Sequence, residues 1–165
     1  IRGSSYVQLA TPEYVDTNIS KGRPGTLMPG WEKAAGGLSE DEITLLRKYL
    51  LDVDVAEQFR LSEQLVSATH NPDLTFRGDS ARGGAIFAQQ CSGCHGPAAQ
   101  GVFGPSLVSP AFQTAASDGF IYATIAAGRK NTAMPGFLAG GGAGLNGRDI
   151  ADLIAHIRAL AAGGK

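Results

Sequence analysis

Two thiols and an imidazole stand within five positions at Cys91-Ser92-Gly93-Cys94-His95, and these are the only two cysteines of the chain. At this spacing each thiol can add across a vinyl group of one porphyrin, giving two thioether bonds. The histidine directly after them is then delivered to the iron as an axial ligand. The same residue types serve other chemistries. A four-ligand zinc site wants a second Cys/His pair at knuckle spacing, and none follows. A redox dithiol gives no role to His95, and a chance pentapeptide gives none to any of the three. Covalent attachment of one haem c is the expectation.

The opposite face of the iron needs a soft sulfur, an imidazole, or nothing. Only Met28 and Met134 supply a thioether. Met134 precedes Pro135-Gly136, where proline stiffens the backbone and glycine permits a tight turn, so the sulfur can be held toward iron. A methionine can equally be core filler. His156, beside Ile157 on an apolar helix, reads as packed, and His70 reads as solvated. Gly104-Pro105 forms a rigid turn whose carbonyl can accept from the second ring nitrogen of His95 and fix its orientation. Arg129 can pair with a haem propionate, the alternative being a solvent-facing loop arginine.

An internal repeat decides for Met134. Ala10 to Trp31 aligns with Ala116 to Phe137 at a constant offset of 106 positions. Ile19, Gly22-Arg23, Thr26 and Met28-Pro29-Gly30 fall on Ile125, Gly128-Arg129, Thr132 and Met134-Pro135-Gly136. Tyr14 meets Phe120. One position later in register, Leu38-Ser39 pairs with Leu145-Asn146, and each pair opens a helix through a capping residue three positions ahead of an acid. Apolar rows follow at helical spacing: Ile43, Leu46 and Leu50 in one copy, Ile150, Leu153 and Ile157 in the other.

The same offset places the partner of Cys91 before Ile1. The expectation is therefore that residues 1–51 are the C-terminal remnant of a first unit whose haem motif lies outside this chain. Residues 52–80 read as a connector, with modest helical patterning over Val55–Ala68 that Asn71-Pro72-Asp73 breaks. Residues 81–165 hold the haem. There a short helix over Arg82–Gln90 leads into the motif, carrying Phe87 one turn before Cys91. Gly83, without a side chain, lets the closing helix over Arg148–Leu160 approach. Phe103, Leu107, Phe112, Phe120, Ile121, Ile125 and Phe137 are expected to line an apolar pocket. Gly140–Gly144 reads as a flexible loop.

Bulk properties exclude several classes. A net charge of −1 over 165 residues lacks the basic excess of a nucleic-acid binder. No apolar run approaches the roughly 20 residues that span a bilayer. Haem attachment of this kind takes place outside the cytoplasm, so the chain is expected to be a mature or truncated form working in the periplasm or on the outer membrane face.

Residues 81–160 resemble a class I cytochrome c of bacterial type. Gly83, Phe87, Cys91, Cys94, His95, Gly104, Pro105, Met134, Pro135 and the closing helix match its landmarks in order. The resemblance implies an all-α cytochrome c fold in which the first and last helices cross beside the haem. It gives the thioethers to Cys91 and Cys94, the axial bonds to His95 and Met134, and the hydrogen bond to the Pro105 carbonyl. With the 1–51 remnant, the chain looks like a tandem, dihaem-type cytochrome, and Met28 stands at the ligand position of a possible second haem. In the resembled family the closing helix presents an aromatic where His156 stands here, which leaves room for a looser or hydrogen-bonded crossing.

The expected function is one-electron transfer through a His/Met-ligated haem, as a subunit or partner of a respiratory, photosynthetic or periplasmic dehydrogenase complex. The chain would not itself be an enzyme, and its partners would be redox proteins. The competing reading is a haem enzyme or a gas- or peroxide-responsive sensor in which Met134 is displaced, but the sequence positions no acid or base for peroxide cleavage.

Overall fold

Helix starts are written into the chain as short side chains. Thr11 Oγ1 accepts from the Tyr14 amide at 3.1 Å and caps the ten-residue helix that begins on Pro12. Among the residues described by the computed structural model, 5–52, 61–71, 73–138 and 144–163, all regular structure is helical. The order is α1 (Ser5–Leu9), α2 (Pro12–Lys21), α3 (Glu40–Leu51), α4 (Glu63–Thr69), α5 (Ser80–Gln90), α6 (Ser92–His95), α7 (Pro110–Ala115), α8 (Asp118–Ala127) and α9 (Gly147–Gly163). The fold is all-α, as expected.

Ser39 and Glu42 cap α3 reciprocally, and Asn146 and Asp149 do the same for α9. These exchanges satisfy amides that a helix N-terminus leaves unpaired. Ser109 and Ser117 start α7 and α8 by single bonds. Both α2 and α8 stop at a glycine in the left-handed region, Gly22 at φ 73° and Gly128 at φ 69°.

Crossing of α5 and α9 is set by absent side chains. A Cβ at Gly83 would collide with the Asp152 carbonyl, and one at Gly78 with that of Ala151. Phe87 on α5 and Ile150, Leu153, Ile154 and Ile157 on α9 are buried at this crossing. Asp152 is buried as well. It accepts from the Asp79 amide at 2.6 Å and lies 3.3 Å from the Arg82 guanidinium. At the other end of α9, Arg158 donates to Asp118 on α8 and to the Gln113 and Ala116 carbonyls of α7 and its end, tying three elements together.

The repeat is visible as hydrogen bonds. Arg23 N to Met28 O, at 3.0 Å, recurs as Arg129 N to Met134 O, at 2.9 Å. Trp31 N to Ile19 O recurs as Phe137 N to Ile125 O. The isolated bridge between Glu32 and Leu38 has its counterpart between Leu138 and Leu145.

Within residues 52–80, the expected connector, Glu63–Thr69 form a helix. Helix α4 lies on α8 because Gly119 presents no side chain to the Ala68 carbonyl, and Ser117 Oγ donates to the Thr69 carbonyl at 3.2 Å. Phe76 then stacks on Tyr122 with ring centroids 4.8 Å apart. Of the patterned stretch Val55–Ala68, residues 63–68 belong to α4, while residues 55–60 lie outside the described residues, as do Pro72 and residues 139–143 of the glycine loop. Buried side chains of α1, α2 and α3 join those of α5, α8 and α9 in one hydrophobic cluster.

Candidate functional site

Cys91 ends α5, with its amide bonded to the Phe87 carbonyl at 2.9 Å. The next four residues form the single turn α6, so Cys94 and His95 are carried on a helix that starts where α5 finishes. Cys91 is half-buried and Cys94 exposed, and the two are not joined as a disulfide. The chain then folds back under the imidazole. Phe103 N and Gly104 N donate to the Cys94 carbonyl, and Gly101 N to that of His95. A Cβ at Gly104 would sit 2.8 Å from the His95 ring, so glycine makes the room the ring occupies.

His95 Nδ1 lies 2.9 Å from the Pro105 carbonyl oxygen. A carbonyl can only accept, so Nδ1 bears the proton and Nε2 keeps its lone pair. Burial lowers the His95 pKa below its ordinary value. The Pro105 carbonyl opposes that shift, while Arg129 and Arg23 add to it. The ring is thereby favoured as neutral imidazole, the form that ligates metal. Burial also pushes the Cys91 thiol up to about 11, with Cys94 adding to the effect. Reactive and metal-binding cysteines have the opposite tendency. Among the described residues no three His, Cys, Asp or Glu side chains gather as a metal-ion site. The thiols and imidazole are disposed around a cleft rather than around a point.

That cleft has a volume of about 290 Å³. Cys91, Cys94, His95 and Met134 all line it, and so do all seven of the apolar residues expected to form its wall. Phe103 stands at the mouth, 86 % exposed. Met134 is positioned by its own loop: Thr132 Oγ1 donates to the Arg129 carbonyl at 2.8 Å and accepts from the Met134 amide at 3.2 Å. Thr124 Oγ1, also on the lining, is buried without a hydrogen-bond partner among the described residues. An apolar slot bordered by two thiols, an oriented imidazole and a thioether, with an orphaned hydroxyl inside, suits a flat, largely apolar macrocycle. The residues fit haem c.

Arg129 faces this cleft too. Its guanidinium lies over the rings of Tyr6 and Phe120, 5.0 Å and 5.4 Å from their centroids. Burial lowers its pKa, opposed by Tyr14, to which it hydrogen-bonds. Tyr6, beneath it, is pushed up to about 12 by burial.

Other candidate residues lie elsewhere. Met28 is 37 % exposed on the surface with Leu27 and Trp31 and is not brought to the cleft. His70 is exposed, with Nε2 3.4 Å from the Gln8 carbonyl. His156 packs its ring 5.4 Å from Phe87 and against Gly84, filling the α5–α9 crossing. Two residues of the N-terminal segment, Tyr14 and Arg23, line the cleft without having been singled out for it in the sequence. Each is the repeat counterpart of a cleft residue, Phe120 and Arg129, and that equivalence was the available signal.

No helix among the described residues is long and apolar enough to cross a membrane. No curated protein matches the chain. Residues 78–157, the stretch from α5 into α9 that supplies most of the cleft, match the family model described as cytochrome C oxidase, cbb3-type, subunit III, a match that supports reading this stretch as a c-type cytochrome domain of electron transfer.

Proposed function

We propose that the chain carries single electrons through one haem c held by Cys91 and Cys94, with His95 and Met134 as axial ligands. The observation that carries this reading is the meeting of all four side chains on one apolar cleft, with His95 Nδ1 committed to the Pro105 carbonyl. Haem, when bound, supplies a one-electron iron couple. The chain's residues do the rest. Cys91 and Cys94 fix the macrocycle, and Pro105 holds the imidazole in one tautomer. A neutral Met134 thioether and the apolar wall both favour the ferrous state and raise the potential.

The matched family's description names an oxidase subunit. We place the chain accordingly as a subunit or partner of a membrane oxidoreductase complex, working on the periplasmic face. The first copy is proposed to be the C-terminal half of a second unit, with Met28 as axial ligand of a haem whose Cys-x-x-Cys-His comes from a preceding segment or another polypeptide. Its support is the shared hydrogen-bond pattern around Met28 and Met134, and the same segment exposes the apolar side chains Leu27, Trp31, Leu45 and Tyr49.

Spectra of parent and Met134→Ala test the core of this reading. The oxidised parent should show the methionine–iron absorption at the red edge of the visible, and the reduced parent should ignore carbon monoxide. Met134→Ala should lose the band and bind the gas. Carbon monoxide binding by the parent would favour the sensor or enzyme reading, and an unchanged spectrum in the variant would remove Met134 as ligand.

A further inference from the structure

The N-terminal segment reaches into the cytochrome domain's cleft at one point with a charged side chain. Arg23 lines the cleft that Arg129 lines. Its loop is fastened there by main chain: Ser106 N donates to the Pro24 carbonyl at 2.8 Å, and Ser106 directly follows Pro105, the acceptor of His95. Gly25, at φ 81°, lies so close that a Cβ would stand 2.9 Å from Gly101 Cα and 3.0 Å from the Gln100 carbonyl oxygen. Arg23 is thus registered against the imidazole loop through two consecutive residues.

Two guanidinium groups beside one apolar cleft repel each other, and the low dielectric magnifies the cost. Among the described residues neither forms an ion pair with a carboxylate, whereas Arg47, Arg82 and Arg158 each do. Arg129 is held by rings and a phenol, which place it without neutralising it. An arrangement of this kind is stable when its occupant brings negative charge, and a guanidinium takes a carboxylate through paired N–H donors.

We propose that Arg23 is a cofactor-binding residue for the haem of the cytochrome domain, pairing with a propionate carboxylate beside Arg129, so that the N-terminal segment completes the site. The inference rests on the haem reading above. It assigns the segment a direct electrostatic role: a fixed positive charge near the macrocycle disfavours the extra positive charge of Fe(III) and holds the potential up.

The test uses the full haem-loaded chain, with pyridine haemochrome giving the thioether-bound fraction. Arg23→Gln should lower the midpoint potential and shift the propionate deformation band in the resonance Raman spectrum. Arg23→Lys should restore most of the potential, because the charge returns, and Gly25→Ala should behave as Arg23→Gln by lifting the loop. Lys33→Gln, which removes an exposed charge outside the cleft, serves as the control for net charge. The proposal is overturned if Arg23→Gln matches the parent in potential and band, or if only Arg129→Gln moves the band. A parent without thioether-bound haem removes both readings, whereas a loaded parent indifferent to Arg23 removes this one alone.

Discussion

His95 can present only Nε2 to a metal, because the Nδ1 proton is committed to Pro105. Met134 has no such anchor on its side chain, so its aim depends on the loop around it. Thr132 bridges that loop with one hydroxyl, donating to the Arg129 carbonyl and accepting from the Met134 amide. Thr132→Val keeps the shape and deletes both bonds. At about 1 kcal/mol for each hydrogen bond, the ligand-bound loop should weaken by about 2 kcal/mol. Added imidazole should then displace Met134 at a concentration lower by roughly an order of magnitude or more, since 1.4 kcal/mol is tenfold. Titration of the methionine–iron band measures it. An unchanged midpoint would mean that the Arg129–Met134 main-chain bond alone sets the aim. At this scale the sequence was highly legible. Contiguous residues Cys91, Cys94 and His95 are placed by one short turn, and Met134 was singled out because Met28 stands in the same local pattern. Arg23 and Tyr14 were signalled only as repeat counterparts of Arg129 and Phe120, and nothing in the sequence says that they enter this same cleft, since their approach depends on how two distant segments pack.

Two helices can cross with their backbones in contact only where side chains are missing, and α5 and α9 do so at Gly83. The atom facing it is the Asp152 carbonyl, which belongs to the α9 backbone and cannot swing aside as a flexible side chain would. Gly83→Ala should therefore force the helices apart and destabilise the protein by about 3 kcal/mol or more, the upper end for overpacking. Gly163→Ala is the matched control: nothing lies within 4 Å of its Cβ position. Its effect should be small or stabilising, because alanine is the better helix former. Denaturant midpoints of the two variants decide the matter, and equal midpoints would mean that the crossing tolerates a methyl group. Gly83 announced this crossing in sequence because the flanking Phe87 and the apolar row of α9 left one face each to bury. Packing of α4 on α8 gave no comparable signal. Gly119 stands near the start of an almost wholly apolar helix, and no periodicity says which carbonyl will approach it.

Tyr14 decides whether the molecule behaves as one body or as two. It is 1 % exposed, and its ring lies 4.2 Å from that of Phe120 and 6.4 Å from that of Phe112, centroid to centroid. One side chain of the N-terminal segment is thus part of the cytochrome domain's cleft wall. Because the buried residues of both segments form one cluster, neither can lose its packing without exposing apolar surface on the other. A chain of this kind should unfold in a single cooperative step. The only tryptophan, Trp31, lies in the N-terminal segment, while the proposed methionine–iron band would arise from residues 78–157, so the two signals report on different parts. Their denaturation midpoints should coincide. Tyr14→Ala removes the shared ring, and loss of a buried aromatic costs about 3–5 kcal/mol, so both midpoints should fall together. If the Trp31 signal moves to lower denaturant while the iron band stays, the segment is an appendage on an independently stable domain. Coincident shifts would instead mean that the segment is integral to the folded cytochrome domain and that its loss would open the cleft at the Phe120 wall.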